Sequence, residues 1–227
     1  MSDVLLIHGA CHGAWCWDHV SSYLIESGHR PIAVDLPCDQ QSSGLTHYAE
    51  AAIALLPSSS HDLIVVGHSL GALTAAVVAG RVKTRRLVFV AGIIGSPGMS
   101  LADLADVDAE RDQHLGRGTL DFNDAGLFRF SRAGAMRVLF HDCDPDSAAV
   151  AFGKLRYQRS LWNEVAEFGD WRADEIVSIV CTDDRVINPS WGRQVSRERL
   201  GVEALELASG HSPWLSQPAG LARMLVG

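Results

Sequence analysis

The residues that could do chemistry stand out at Gly67-His68-Ser69-Leu70-Gly71. A serine with glycine two positions away on each side fits a sharp strand-to-helix turn, where a larger neighbour would clash. A hydroxyl in such a turn is inert until a base takes its proton. His211, in Ala208-Ser209-Gly210-His211-Ser212-Pro213, follows a late apolar run and is the expected base. A carboxylate must then hold the imidazole. Cys181-Thr182-Asp183-Asp184 closes another apolar run and offers two acids, Asp183 and Asp184. Asp35 also ends a run, but it precedes the serine and reads as structural. Acyl chemistry further needs two N–H groups aimed at a developing oxyanion. The residue after the serine, Leu70, supplies one, and Ala10, in the loop after the first apolar run, supplies the other.

The other histidines read as bystanders. His8 and His12 are four apart, but they flank a glycine turn rather than share a helix, so a metal pair is not expected. His68 is expected to point away from Ser69. His19, His29, His47, His61, His114 and His141 are expected at the surface. The five cysteines (Cys11, Cys16, Cys38, Cys143, Cys181) are odd in number and lack a CxxC pair. They read as free thiols in a reducing compartment, with no zinc site.

These side chains need a scaffold. Apolar strand-like runs occur at 4–7, 31–36, 62–67, 86–91, 176–181 and 202–207. Helical periodicity falls between them, at 17–27, 46–56, 70–80, 189–200 and 214–226. Such alternation predicts a parallel sheet with helices on both faces. Residues 93–160 break the pattern, with helical patches at 100–114, 125–140 and 146–157 and no expected strand. They read as a helical cap inserted into a core formed by 1–92 and 161–227.

Composition narrows the partners. The chain has 227 residues, 47 % hydrophobic and 20 % charged, with 19 Lys+Arg against 27 Asp+Glu and a net charge of −8. That balance disfavours nucleic acid. No run reaches the ~18–20 apolar residues of a membrane span. The first residues lack the basic and apolar segments of a signal peptide, so a cytoplasmic location is expected. Between 101 and 124, seven acids (Asp103, Asp106, Asp108, Glu110, Asp112, Asp121, Asp124) face only Arg111 and Arg117. This cluster is either a solvated face or a rim that disfavours anionic substrates.

The stretch from Val4 to Trp17 (VLLIHGACHGAWCW), with Gly67–Gly71, Cys143-Asp-Pro-Asp146, Cys181-Thr-Asp-Asp184 and Gly210-His211, resembles the plant methylesterase and hydroxynitrile lyase family of α/β-hydrolases. The resemblance implies an α/β-hydrolase fold: a mostly parallel sheet of about six strands under a helical cap, without metal or organic cofactor. The order Ser, Asp, His is the one that architecture uses. In the family's strand-end motif the second acid belongs to the triad, which selects Asp184. The similar lyases carry Thr where Gly9 stands and Lys where Ser212 stands, so the esterase branch is the closer match. The expected activity is hydrolysis of a small, neutral, apolar carboxylic ester. Hydroxynitrile lyase, thioesterase and receptor-like ligand binding are the alternatives. Gly9, His12, Phe128, Leu139 and Trp162 are expected to shape the pocket.

Overall fold

The apolar runs form the middle of one sheet. The computed structural model describes residues 1–58, 62–107, 116–167 and 170–227. Strands β1 (Asp3–Ile7), β3 (Leu63–His68) and β4 (Thr84–Val90) are buried along almost their whole length, as strands covered on both faces must be. The edge strands β2 (Arg30–Val34) and β8 (Leu205–Leu207) are more exposed. With β7 (Ala173–Cys181) they form a six-stranded sheet in the order β2-β1-β3-β4-β7-β8, and every pairing in it is parallel. The α/β fold expected from the alternation is therefore present.

The strand order locates the site. The chain winds from β1 outward to β2, then returns to place β3 on the other side of β1. Loops leaving β1 and β3 at their carboxyl ends therefore diverge, and a crevice opens between them. Ile7 lies opposite Gly67, so the two loops emerge at the same level. Helices α1 (Asp18–Glu26), α2 (Leu45–Ala54) and α3 (Gly71–Arg81) make the crossovers. Helix α3 is buried from Gly71 to Ala79. Its small residues let it lie close on the sheet: a Cβ built on Gly67 would stand 2.7 Å from Ala72 Cα and from Ala75 Cβ.

A cap-like region lies between β4 and β7. It holds α4 (Leu101–Val107), β5 (Leu120–Phe122), β6 (Phe128–Phe130), α5 (Arg132–Gly134) running into a π-helical turn (Ala135–Leu139), and α6 (Pro145–Gly153). Asp144 caps α6 by accepting from Ser147 N at 2.9 Å, with Pro145 at the first turn. The expectation of a strand-free insertion with a helix over 125–140 is corrected here. Leu120-Asp-Phe122 and Phe128-Arg-Phe130 alternate apolar and polar residues and pair as an antiparallel hairpin. Between them Asn123 Oδ1 accepts from Ala125 N and Leu127 N, both at 3.0 Å, and Gly126 takes a left-handed φ of +74°. That turn chemistry reverses the chain. The helix begins only after Ser131, whose hydroxyl accepts from Gly134 N.

Two late helices are also divided. The predicted helix over 189–200 is α7 (Pro189–Val195) followed by a π-helical turn (Ser196–Leu200), stopped by Gly201 at φ +69°. The one over 214–226 is α8 (Pro213–Ser216) and then α9 (Pro218–Val226), because Pro218 starts a new helix and cannot continue the old one.

Candidate active site

Ser69 occupies a turn that only a constrained backbone allows. Its φ is +53°, the left-handed region that non-glycine residues avoid. Three bonds hold it there: Ser69 N donates to Val90 O at 3.0 Å, and Ser69 O accepts from Ala72 N and Ile93 N at 3.1 Å. Both flanking glycines are required. A Cβ on Gly71 would strike His8 O and stand 2.8 Å from Ile7 O, and a Cβ on Gly67 would enter α3. The turn thus delivers the hydroxyl at the carboxyl edge of the sheet, with the α3 N-terminus behind it.

A continuous chain of hydrogen bonds runs from that hydroxyl into the protein. His211 Nε2 lies 3.0 Å from Ser69 Oγ, and His211 Nδ1 lies 2.8 Å from Asp184 Oδ2. A carboxylate only accepts, so Nδ1 carries the hydrogen and Nε2 is the acceptor for the serine hydroxyl. Asp184 Oδ1 accepts from Val186 N at 2.7 Å and from Ile187 N at 3.0 Å, which fixes the carboxylate from its far side. All three side chains are buried. Asp183 points elsewhere: its carboxylate is 67 % exposed and pairs with His141 Nε2 at 3.2 Å.

The loop bearing His211 is held from two directions. Below it, His68 Nε2 donates to His211 O at 2.8 Å, and burial keeps His68 far below its ordinary pKa and neutral. From the cap-like region, Asp142 Oδ2 accepts from Gly210 N at 2.6 Å. A Cβ on Gly210 would press on Asp142 and His141, so glycine lets the two segments meet.

Ala10 and Leu70 stand with Ser69 on one wall of a cavity of about 250 Å³. Ile93, Leu101, Leu161, Val186 and Ile187 also line it, and the hairpin contributes Leu120, Phe122, Phe128 and Phe130. Ser160 and Trp162 also line it; Trp162 is 46 % exposed and Phe122 is 68 % exposed. A larger cleft of about 400 Å³ lies among Trp15, Asp18, Asp146, Lys154 and Trp214 and includes neither Ser69 nor His211. No group of His, Cys, Asp and Glu arranged for a metal ion occurs among the described residues.

The Alpha/beta hydrolase family profile matches residues 4–224, nearly the whole chain. The chain belongs to this family. Among relatives of the hydrolase, Methylesterase 2 of Arabidopsis thaliana is 39 % identical over 246 residues, covering 98 % of this chain and 94 % of that protein. Methyl jasmonate esterase 1 of Vitis vinifera is 26 % identical over 248 residues, covering 97 % and 94 %. Among solved structures, a pyrethroid hydrolase from Sphingobium faniae JZ-2 superposes with a TM-score of 0.81 at 22 % identity, covering 99 % of this chain and 96 % of that one. This last likeness concerns the fold.

Several expected positions move within the hydrolase. Phe128 and Trp162 do line the cavity, whereas Gly9, His12 and Leu139 do not. Gly9 lies beneath the serine, where a Cβ would stand 3.0 Å from Ser69 Cβ and 2.9 Å from His68 Nδ1. Leu139 is core. His12 is buried against Trp15 and Trp214. His141, expected at the surface, has a side chain only 7 % exposed. His19 and His47 are exposed, and His61 and His114 lie outside the described residues. Asp35 is structural as expected, accepting from Ala14 N and pairing with Arg156 at 3.1 Å. Of the acidic cluster, Asp108, Glu110 and Asp112 lie outside the described residues. Asp103 instead accepts from Ser100 N and Ser100 Oγ at the start of α4, and these bonds lower its pKa. Sequence reasoning missed Asp142, Ile93, Val186 and Ile187. The apolar pair that follows Asp184-Arg185 was the available signal for the last two.

The described helices contain none long and apolar enough to cross a membrane. All five cysteines are free. Burial raises Cys38 to about 11 and pushes Cys11 and Cys181 higher still, so these thiols stay protonated.

Proposed function

We propose that the protein is a serine carboxylic-ester hydrolase in which Ser69 is the nucleophile, His211 the base and Asp184 its orienting acid. The observation that carries this is the Ser69–His211–Asp184 hydrogen-bond chain, whose serine lines an apolar cavity. Ser69 Oγ attacks the ester carbonyl carbon while His211 Nε2 takes its proton. The carbonyl oxygen becomes an anion held by the N–H groups of Ala10 and Leu70. Asp184 stabilises the imidazolium formed meanwhile. Collapse of the intermediate expels the alkoxide, which takes the proton from His211, and leaves Ser69 acylated. Water then gives its proton to His211 and attacks the acyl carbon, and Ser69 leaves with that proton.

The cavity supports a small, neutral and apolar substrate, because none of the described residues of its wall is ionic. The lyase alternative loses support, since the position after His211 is the fully buried Ser212 rather than a cation beside the histidine. The reading keeps 1–92 and 161–227 as the hydrolase core and 93–160 as the cap. Free thiols support a cytoplasmic location. Turnover of short p-nitrophenyl esters tests the assignment. Ser69→Ala is expected to lower kcat by up to about 10⁶, and retention of a tenth of the rate would overturn the role of Ser69. Stoichiometric labelling of Ser69 by a fluorophosphonate without turnover of any ester would instead favour a receptor.

A further inference from the structure

The loop after β1 contains two successive peptide units with four polar groups between them, and three of these are taken. In the Gly9–Ala10 unit, Gly9 O accepts from His8 Nδ1 at 2.8 Å. In the Ala10–Cys11 unit, Ala10 O accepts from His12 Nδ1 at 2.6 Å, and Cys11 N donates to Gln158 Oε1 at 2.7 Å. The remaining group, Ala10 N–H, has no partner among the described residues and belongs to a residue that lines the cavity beside Ser69.

This loop is held against its own preference. Cys11 has a φ of +64°, a conformation that costs a non-glycine residue on the order of 1 kcal/mol. Its other groups are also engaged by the cap-like region: Arg156 N donates to Cys11 O at 2.8 Å, and Cys11 Sγ lies 3.6 Å from Phe128 O. Gln158 is itself fixed, because its backbone exchanges two 2.8 Å hydrogen bonds with that of Phe128.

His12 and Gln158 are chemically odd occupants of their sites. They are 1 % and 2 % exposed, yet each uses one side-chain polar atom and leaves the other, His12 Nε2 or Gln158 Nε2, buried without a partner among the described residues. Leaving such an atom unpaired costs about 1–3 kcal/mol. Core filling alone would be better served by Phe and Met. A carbonyl only accepts, so His12 must carry its hydrogen on Nδ1. Burial lowers its pKa to about 3 and so keeps the ring neutral, with Nε2 bare of hydrogen.

We propose that His12 and Gln158 are positioning residues for the oxyanion site: by gripping the two ends of the Ala10–Cys11 peptide they fix the backbone of Ala10 and aim its N–H at the substrate oxygen. The proposal rests on the ester-hydrolase reading above. The transition state gains from the aligned donor and the ground state does not, so the defect should appear in kcat. Misalignment of this kind costs up to about 10² in rate.

The test uses the full chain with Gln158→Met, which keeps volume and loses the acceptor, Gln158→Glu, which keeps an oxygen, and His12→Phe. For each, kcat and KM are measured on a neutral p-nitrophenyl ester. Inhibition is measured with an alkyl trifluoromethyl ketone, which adds Ser69 Oγ reversibly to its carbonyl carbon and so presents an oxyanion. Gln158→Met and His12→Phe are expected to lower kcat by about 10- to 100-fold with KM little changed. The ketone should weaken by the same factor, and Gln158→Glu should recover most of the loss. If Gln158→Met fails to fold, His12→Phe and Gln158→Glu carry the comparison. Wild-type kcat in the folded variants, an unchanged ketone affinity, or a Glu variant no better than His12→Phe overturns the proposal. Ser69→Ala in the same assay separates the two failures. If it is active, the hydrolase reading falls. If it is dead while the positioning variants behave as wild type, only this inference falls.

Discussion

The carboxyl edge of the sheet and the β5–β6 hairpin face the same cavity and are built in opposite ways. At the edge, Ser69, His211 and Asp184 are buried, and each sits on a loop whose backbone is hydrogen-bonded. Substituting Gly67 or Gly71 there drives a Cβ into backbone. The hairpin instead presents Leu120 and Phe122 exposed on short strands, joined by a five-residue connection that Asn123 organises. One region sets angles and cannot give; the other supplies apolar area with few constraints. The difference suggests where reaction type and substrate preference are separately encoded.

Breaking the edge should have the largest effect. Asp184→Asn should reverse the His211 tautomer and lower kcat by about 10⁴, whereas Asp183→Asn, at an exposed acid, should leave kcat within a fewfold in the same steady-state assay. Acid should loosen the edge next. His8 and His12 are lowered by burial to about 4 and about 3, and His68 well below its ordinary value. Their unfolded pKa is near 6.5, so the unfolded chain binds more protons below that pH. Their contribution is complete above pH 6.5 and is lost as pH falls towards 4, by about 1.4 kcal/mol per pH unit for each fully shifted group. Thermal melts from pH 7.5 to 4.5 should show a flat region and then a steep fall, and a Tm that stays level to pH 5 would contradict the buried neutral state. Gly71→Ala should cost about 3 kcal/mol through overpacking and lower Tm by roughly 5–10 °C. The hairpin should respond least. Phe122→Ala should leave Tm unchanged and raise KM for bulky aryl esters by about three- to tenfold, from roughly 1 kcal/mol of lost apolar contact. An equal rise for acetate esters would mean that the hairpin does more than add area.

The same contrast explains what could be read in advance. Ser69 was legible because its turn admits only glycine at 67 and 71, and the strand and helix around it are marked by long apolar and small-residue runs. The central strands followed from burial on both faces, which leaves continuous apolar runs. Asp184 was chosen over Asp183 only through the resemblance. Spacing alone leaves the two adjacent acids open, and the decision is made by the N–H groups of Val186 and Ile187 that turn one carboxylate inward. The hairpin was missed because three-residue strands give too short a period-two signal, and the apolar residues after it suggested a helix. His12 was misplaced for a different reason. It stands two residues after Ala10, but the peptide it grips is also held by Gln158, 146 positions away, and no local pattern reveals that pairing.

The bond from Gly210 N to Asp142 Oδ2 and the pairing of His141 with Asp183 mean that one dipeptide near the end of the insertion touches both loops that carry the histidine and its acid. The insertion is therefore not an interchangeable module. A chimera that borrows another hydrolase's cap must bring groups equivalent to His141 and Asp142, or the graft will change the geometry of the chemistry along with the shape of the pocket.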